Sequence, residues 1–258
     1  MIRSSFIGRA KPWLMQSGFY RPVRFAYRHL VHREGLRELR RQQAFFASIV
    51  SRGDLCFDIG ANHGHKSEAL LRLGAKVVAV EPLPACASEL RTRLGHFDRF
   101  TCVESAVGDH QGTATLHVSD CDVLSSVDPN WFGQNGQWTA SIPVAMTTID
   151  ALIAAHGTPR YCKIDVEGLE LEVLLGLSQA IPILSFEFHI DPQLNAKTLA
   201  CLTRLQQLGA REANVSRQET PDFVGDWMPS GAFARYFEQT IMRDATVDYG
   251  EIYVRSVA

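Results

Sequence analysis

An α/β fold around a mostly parallel sheet is predicted by three stretches of this 258-residue chain. Leu55–Ile59 is a short apolar run, Gly60 and Gly64 bracket a tight turn, and residues 67–73 carry the apolar spacing of a helix face, so the order is strand, glycine turn, helix. Residues 77–80 form a second apolar run that ends on Glu81, as a parallel neighbour with an acid at its carboxyl edge. Residues 160–164 and 183–190 repeat the theme, the first running into Asp165 and Glu167 and the second carrying Glu187 and His189. In an open α/β sheet that edge is where ligands bind.

Residues 1–50 precede the sheet and form a basic helical extension or cap, with the main domain over 51–258. The first 42 residues carry ten Lys or Arg against Glu34 and Glu38, a charge of +8 that leaves −10 on the remainder. Residues 20–31 interleave aromatics with Arg21, Arg24 and Arg28, and residues 36–50 have helical amphipathicity. Two readings follow for residues 1–42: peripheral contact with anionic membrane, or cap helices whose arginines pair with the acidic domain.

Beyond Glu81, Pro82 and Pro84 turn the chain, residues 85–94 are a helix stopped by Gly95, and residues 99–104 are the third strand. The turn Ser105-Ala106-Val107-Gly108-Asp109 follows at the ligand edge. Residues 112–118 and 142–146 alternate as strands, and between them lies a polar loop, 119–140, in which Trp131, Phe132 and Trp138 are candidate stacking platforms for a substrate or else the loop's own small core. Residues 148–155, 169–175 and 194–208 are helices. Residues 211–258 are less regular: loop over 223–229, helix over 231–242, and a final strand over 250–257.

The glycine turn is read as a nucleoside site. Glu81, twenty-one residues beyond Gly60, is placed to accept from ribose hydroxyls. A dinucleotide turn wants glycine where Asn62 stands, and Asp58 two residues before Gly60 suits a cationic ligand without a pyrophosphate. S-adenosyl-L-methionine fits that pattern better than NAD. Ser105 and Ala106 are the candidates beside an adenine ring.

The second informative stretch is Lys163-Ile-Asp165-Val-Glu167-Gly-Leu-Glu170, where acids crowd a buried lysine at the end of a central strand. Such groups are costly to bury without a role or partners. Glu187 and His189 are two apart on the next strand, on one face, and point to the same crevice. Lys163, Asp165, Glu167 and His189 are therefore the candidate catalytic group, with Asp165 or His189 as general base and Lys163 and Glu167 setting their orientation and ionisation. A divalent ion held by Asp165, Glu187 and His189 is a weaker alternative. The six scattered cysteines include no Cys-x-x-Cys pair, so they imply core thiols in a reduced, cytoplasmic setting and no zinc site. No apolar run is long enough to span a membrane or to act as a secretory signal. The acidic domain disfavours nucleic acid.

The motifs Phe57-Asp-Ile-Gly-Ala-Asn-x-Gly64, Val80-Glu-Pro82, Ala106-Val-Gly-Asp109, Thr148-Ile-Asp150, Lys163-Ile-Asp-Val-Glu-Gly-x-Glu170 and Phe186-Glu-Phe-His189 together resemble the FkbM family of S-adenosylmethionine-dependent methyltransferases. The resemblance spans roughly residues 50–192. It implies a class I methyltransferase (Rossmann-like) sheet of seven strands, mostly parallel with one antiparallel edge strand, and helices on both faces. It also implies methyl transfer to a hydroxyl of a carbohydrate, glycolipid or secondary metabolite. The cofactor contacts it implies are Asp58, Gly60, Asn62 and Gly64 at the amino-acid end, Glu81 at the ribose, and Ser105 or Ala106 near adenine. Two other classes remain as alternatives: a non-catalytic binding module that has kept this fold, and an NAD-dependent oxidoreductase, which the chain's lack of a Tyr-x-x-x-Lys hydride site disfavours.

Overall fold

A computed structural model describes residues 35–119, 125–131, 138–218 and 220–256. By its contacts the chain divides into residues 1–42 and residues 43–258. Of the first unit, residues 35–42 are described and are helical, with the Gln42 amide donating to Glu38 Oε1 one turn earlier, at 3.2 Å. That helix, α1, continues to residue 46. The arginine and aromatic stretch 20–31, on which the membrane reading rests, lies outside the described residues, as does Phe132. Among the described residues no helix is long and apolar enough to cross a membrane.

The second unit alternates strand and helix as the apolar runs require. β1 (Leu55–Ile59), α2 (His65–Arg72), β2 (Lys76–Val80), α3 (Pro84–Leu94) and β3 (Phe100–Val103) come first. A small sheet of β4 (Ala106–Val107), β5 (Gly112–Ser119) and β6 (Trp138–Thr147) follows. After it come α4 (Ile149–His156), β7 (Tyr161–Ile164), α5 (Glu170–Leu175), β8 (Ile183–His189), α6 (Asn195–Gln207), β9 (Ala210–Arg217), β10 (Met228–Pro229), α7 (Ser230–Gln239) and β11 (Tyr249–Ser256). The main sheet runs in the order β10-β9-β11-β8-β7-β1-β2-β3. β1, β2, β3, β7 and β8 are parallel, and β11 is antiparallel to both its neighbours. This is the class I methyltransferase sheet, with the short β10 added beside β9.

Two strands run against the parallel set: the two-residue β10 at the edge, in keeping with the antiparallel edge that the resemblance implied, and β11, inserted between β8 and β9. β9 was hard to read because both of its faces are buried: Ala213 and Val215 enter the main core, while the alternating Asn214 and Ser216 are polar and buried on the opposite face.

The register explains both kinds of buried residue. Phe57, Cys162, Leu184, Val254 and Ala213 are successive cross-strand neighbours, and all belong to the main core with residues of α4, α5, α6 and α7. Side chains alternate between faces, so the next row, Asp58, Lys163, Ser185, Tyr253 and Asn214, lies on the opposite face. Every member of that row is buried and hydrogen-bonded. Tyr161 and Ser185 hydroxyls are 2.7 Å apart, Ser185 and Tyr253 both donate to the Glu251 carboxylate, and the Asn214 amide donates to the Gly225 carbonyl at 2.8 Å. Phe46 of α1 covers Tyr161, with ring centroids 5.7 Å apart, and Phe45 covers Tyr253 at 5.3 Å. Each such aromatic contributes on the order of 2 kcal/mol by burial.

The small sheet has its own apolar side. Leu116 and Val144 pack with Leu83, Cys86 and Ala106, which seats the β5–β6 hairpin beside the end of β3. The loop between these strands returns to the main sheet: Ser126 pairs with His117, and residues 125–131 run towards the end of β7.

Candidate functional site

Glycine is needed at position 60 for two reasons. Its φ is +77°, and a Cβ there would overlap the carbonyl oxygen of Asp165 at the end of β7. The turn that follows is fastened to β2: the N–H groups of Gly60 and Ala61 donate to the Val80 carbonyl at 2.9 and 3.1 Å. Asn62 is left-handed at φ +45°, and its N–H donates to Glu81 Oε2 at 2.8 Å, while Glu81 Oε1 accepts from the Leu83 N–H at 2.8 Å. Burial raises the Glu81 carboxyl above the usual range, and those two N–H groups work against the rise. Each oxygen keeps a lone pair free for a further donor. Gly64 is also left-handed, but the space its missing Cβ leaves is filled by Leu90 and Leu94 of α3, so packing alone demands glycine there.

Asp58 is 1% exposed. Ser67, in the first turn of α2, donates to its Oδ2 at 2.6 Å, a contact that nothing in the sequence signals. Oδ1 has no hydrogen-bond partner among the described residues, and its nearest cation is the Lys163 ammonium at 4.0 Å. A buried carboxylate oxygen with a vacant acceptor is what the ammonium end of S-adenosylmethionine requires, and the Glu81 lone pairs suit its ribose. The Ser105 hydroxyl is already engaged: it donates to the carbonyls of Ala106 and Ala145, at 2.8 and 3.1 Å. Ala106 is buried in β4, paired with Met146. Of the expected cofactor group, Asp58, Gly60, Asn62 and Glu81 therefore converge at the tips of β1 and β2, while Ser105 and Ala106 anchor the small sheet.

The acidic stretch converges as well. Lys163 Nζ lies 2.7 Å from Asp165 Oδ2, so one buried ammonium stands between Asp58 and Asp165. Burial alone would discharge Lys163, but Asp165, Asp58 and Glu251 together hold it charged, with its titration raised. Burial likewise favours the neutral form of Asp165, yet the charge and hydrogen bond of Lys163 keep that carboxyl below the usual range. Glu167 is pushed up to about 10 by burial and by the negative charges of Asp165 and Glu187. Glu170 rises to about 7 by burial, opposed by the Val166 and Gly168 N–H groups that it accepts. Burial and the nearby Asp165 also raise Glu187 well above the usual range.

His189 Nε2 is 3.1 Å from Glu187 Oε2, and burial lowers the imidazole pKa so that the ring is neutral near pH 7. The ring lies edge-on to Trp131, centroids 5.1 Å apart, and stacks on Tyr249 at 5.8 Å. Trp131 also occupies the space beside Gly168, whose φ is +98° and whose Cβ would overlap the indole. Ser126 donates to the Glu167 carbonyl at 2.7 Å, and Lys197 holds both Asp128, at 3.3 Å, and the Gly168 carbonyl, at 3.1 Å. These four contacts sew the loop onto the turn after β7. A small open cleft lies beside it, lined in part by Trp131, Glu170, Glu187, His189 and Lys197. Trp138 is not in that lining and packs on His117. Glu167, Glu187 and His189 each bring one metal-ligating atom within 4.8 Å of the others, while Asp165, expected in that set, is taken by Lys163.

Among characterised proteins the chain is similar to the hexuronic acid methyltransferase AglP of Haloferax volcanii, 28% identical over 179 residues that cover 64% of this chain and 70% of the relative. Solved structures with a comparable course of chain include a precorrin-6y C5,15-methyltransferase from Geobacter metallireducens, 11% identical with a TM-score of 0.44 over 84% of this chain and 86% of that one. Another is fibrillarin from Aeropyrum pernix with natively bound S-adenosyl-L-methionine, 8% identical with a TM-score of 0.42 over 80% and 68%. The methyltransferase FkbM domain matches residues 58–212, from the Asp58 turn through β9, and the chain belongs to that family of S-adenosylmethionine-dependent methyltransferases.

Proposed function

We propose that the chain is an O-methyltransferase that methylates a hydroxyl of a carbohydrate. The observation that carries this reading is the single ammonium of Lys163 set between Asp58 and Asp165, which brings a proton-accepting cluster against the donor turn. S-adenosylmethionine, when bound, supplies the methyl carbon. The chain's own contribution is to hold the acceptor oxygen in line with that carbon, an effect of proximity that is worth on the order of 7–11 kcal/mol in well-oriented systems. It also removes the hydroxyl proton. Asp165, kept ionised, and His189, kept neutral, are the two groups able to take it, and Lys163 and Glu167 position them. Trp131 beside His189 offers an aromatic surface for a sugar ring. The relative's name supports a sugar acid as the first acceptor to try.

The test uses methyl-labelled S-adenosylmethionine with a panel of hexuronic acid and neutral sugar glycosides, followed by mild alkaline treatment of the product. An ether on a hydroxyl keeps its label, whereas an ester on a carboxylate loses it. Label retained after alkali, and absent with Asp165→Asn, is the expected result. Label on a carboxylate, or none transferred to any sugar, would overturn the assignment.

A further inference from the structure

We propose that Glu167, Glu187 and His189 bind one divalent first-row metal ion, which activates the acceptor hydroxyl. The proposal rests on the methyl-transfer reading above for its function, though not for the site itself. The donor set is mixed, two carboxylates and one imidazole, which suits manganese or iron better than calcium. The Nε2 to Oε2 separation of 3.1 Å between His189 and Glu187 matches the cis edge, about 3.0–3.1 Å, of an octahedron with bonds of about 2.1–2.2 Å.

The backbone presents these atoms from two elements. Glu167 is held left-handed at φ +56° by the turn after β7, and Glu187 and His189 are alternate residues of β8. Trp131 and Tyr249 fix the imidazole plane from two sides. The local charge has the same implication. Asp165, Glu167, Glu170 and Glu187 are four acids near two cations: Lys163, already engaged by Asp58 and Asp165, and Lys66, whose charge acts on Asp165. Among the described residues no ion pair brings a lysine or arginine to Glu167, Glu170 or Glu187. Lys197 is the nearest candidate in the pocket lining, and it is taken by Asp128 and the Gly168 carbonyl. Glu187 and His189 line the adjoining cleft, from which an acceptor oxygen would reach the ion.

With the imidazole ligating, Asp165 becomes the group that receives the proton. The acceptor's O–H bond breaks and its proton passes to the Asp165 carboxylate. The oxygen's electron pair forms the bond to the methyl carbon, and the carbon–sulfur pair returns to sulfur, leaving S-adenosylhomocysteine. The ion's Lewis acidity lets so weakly basic a carboxylate suffice.

The experiment titrates the metal-stripped full chain with Mn2+, followed by electron paramagnetic resonance, and separately measures S-adenosylhomocysteine binding by calorimetry. One Mn2+ per chain is expected, with affinity at least tenfold weaker in Glu187→Gln and in His189→Gln. S-adenosylhomocysteine affinity should stay within about twofold in both variants, which also reports that they fold. No stoichiometric Mn2+ in the wild-type chain, or equal affinity in the variants, overturns the proposal. Failure of the wild-type chain to bind S-adenosylhomocysteine would instead overturn the methyl-transfer reading, and the Mn2+ titration distinguishes the two.

Discussion

Replacing Lys163 by methionine removes the ammonium that lies between the Asp58 and Asp165 carboxylates while nearly preserving volume. At an effective dielectric near 20 the attraction to Asp165 at 2.7 Å is about 6 kcal/mol, and that to Asp58 at 4.0 Å about 4 kcal/mol. Two gains offset most of this: the ammonium no longer loses hydration, and Asp165 can take up a proton. Breaking one side of a buried pair leaves a net cost of about 3–5 kcal/mol. For a domain of this size that corresponds to a fall of about 10 °C in Tm. Urea unfolding followed by tryptophan fluorescence measures it directly. The control is Arg91→Ala. Its guanidinium is 2.8 Å from Glu104, almost the Lys163 distance, but both side chains are 40% or more exposed. That pair should contribute under about 1 kcal/mol. If Lys163→Met costs no more than Arg91→Ala, burial is not what gives the Lys163 bridge its strength, and the account of the site fails.

The glycines give two further tests. Gly60→Ala forces a left-handed alanine, about 1–2 kcal/mol by itself, and sets its methyl against the Asp165 carbonyl; unfolding should register a loss above about 3 kcal/mol, and calorimetry a loss of S-adenosylhomocysteine binding. Gly53 has φ +91° with open space around it, so Gly53→Ala isolates the backbone part and should cost only about 1–2 kcal/mol. Gly168→Ala drives the Trp131 indole off the turn that carries Glu167. Turnover should drop at least tenfold while S-adenosylhomocysteine affinity, read by calorimetry, is unchanged.

The geometry of the turn proposed to hold the donor was legible because its constraints are local in sequence. Gly60, Asn62 and Glu81 act through backbone conformation and strand ends, which glycine spacing and apolar runs report directly. Lys163, Asp165, Glu187 and His189 were legible for a related reason: charge at the end of an apolar strand is conspicuous. What escaped was set by partners distant in sequence. Ser67 has the form of an ordinary residue of a helix's first turn until the fold brings Asp58 to its hydroxyl. β9 carries Ala213 and Val215 on its core face, but its other face continues a buried polar row begun by Asp58, and a row that crosses five strands is not visible in the sequence of any one of them. The position of β11 inside the sheet likewise depends on pairing, which no single strand encodes.

The same distinction separates the two halves of the site by origin. The proposed donor half is built from β1, β2 and the turn between β1 and α2, where an added side chain meets the Asp165 backbone at Gly60 and the Leu90 side chain at Gly64. It has little room to vary. The proposed acceptor half is flanked by residues 125–131, which reach the turn after β7 through the side chains of Ser126 and Trp131 directly and of Asp128 through Lys197. Contacts of that kind can be exchanged without moving a strand. Substitutions at Trp131, Asp128 and Lys197 should therefore change which acceptor is used, read as altered kcat/KM across a glycoside panel, while leaving the affinity for S-adenosylhomocysteine within about twofold. A proportional loss of both would mean that the loop supports the donor half as well, and that the two halves are not separable.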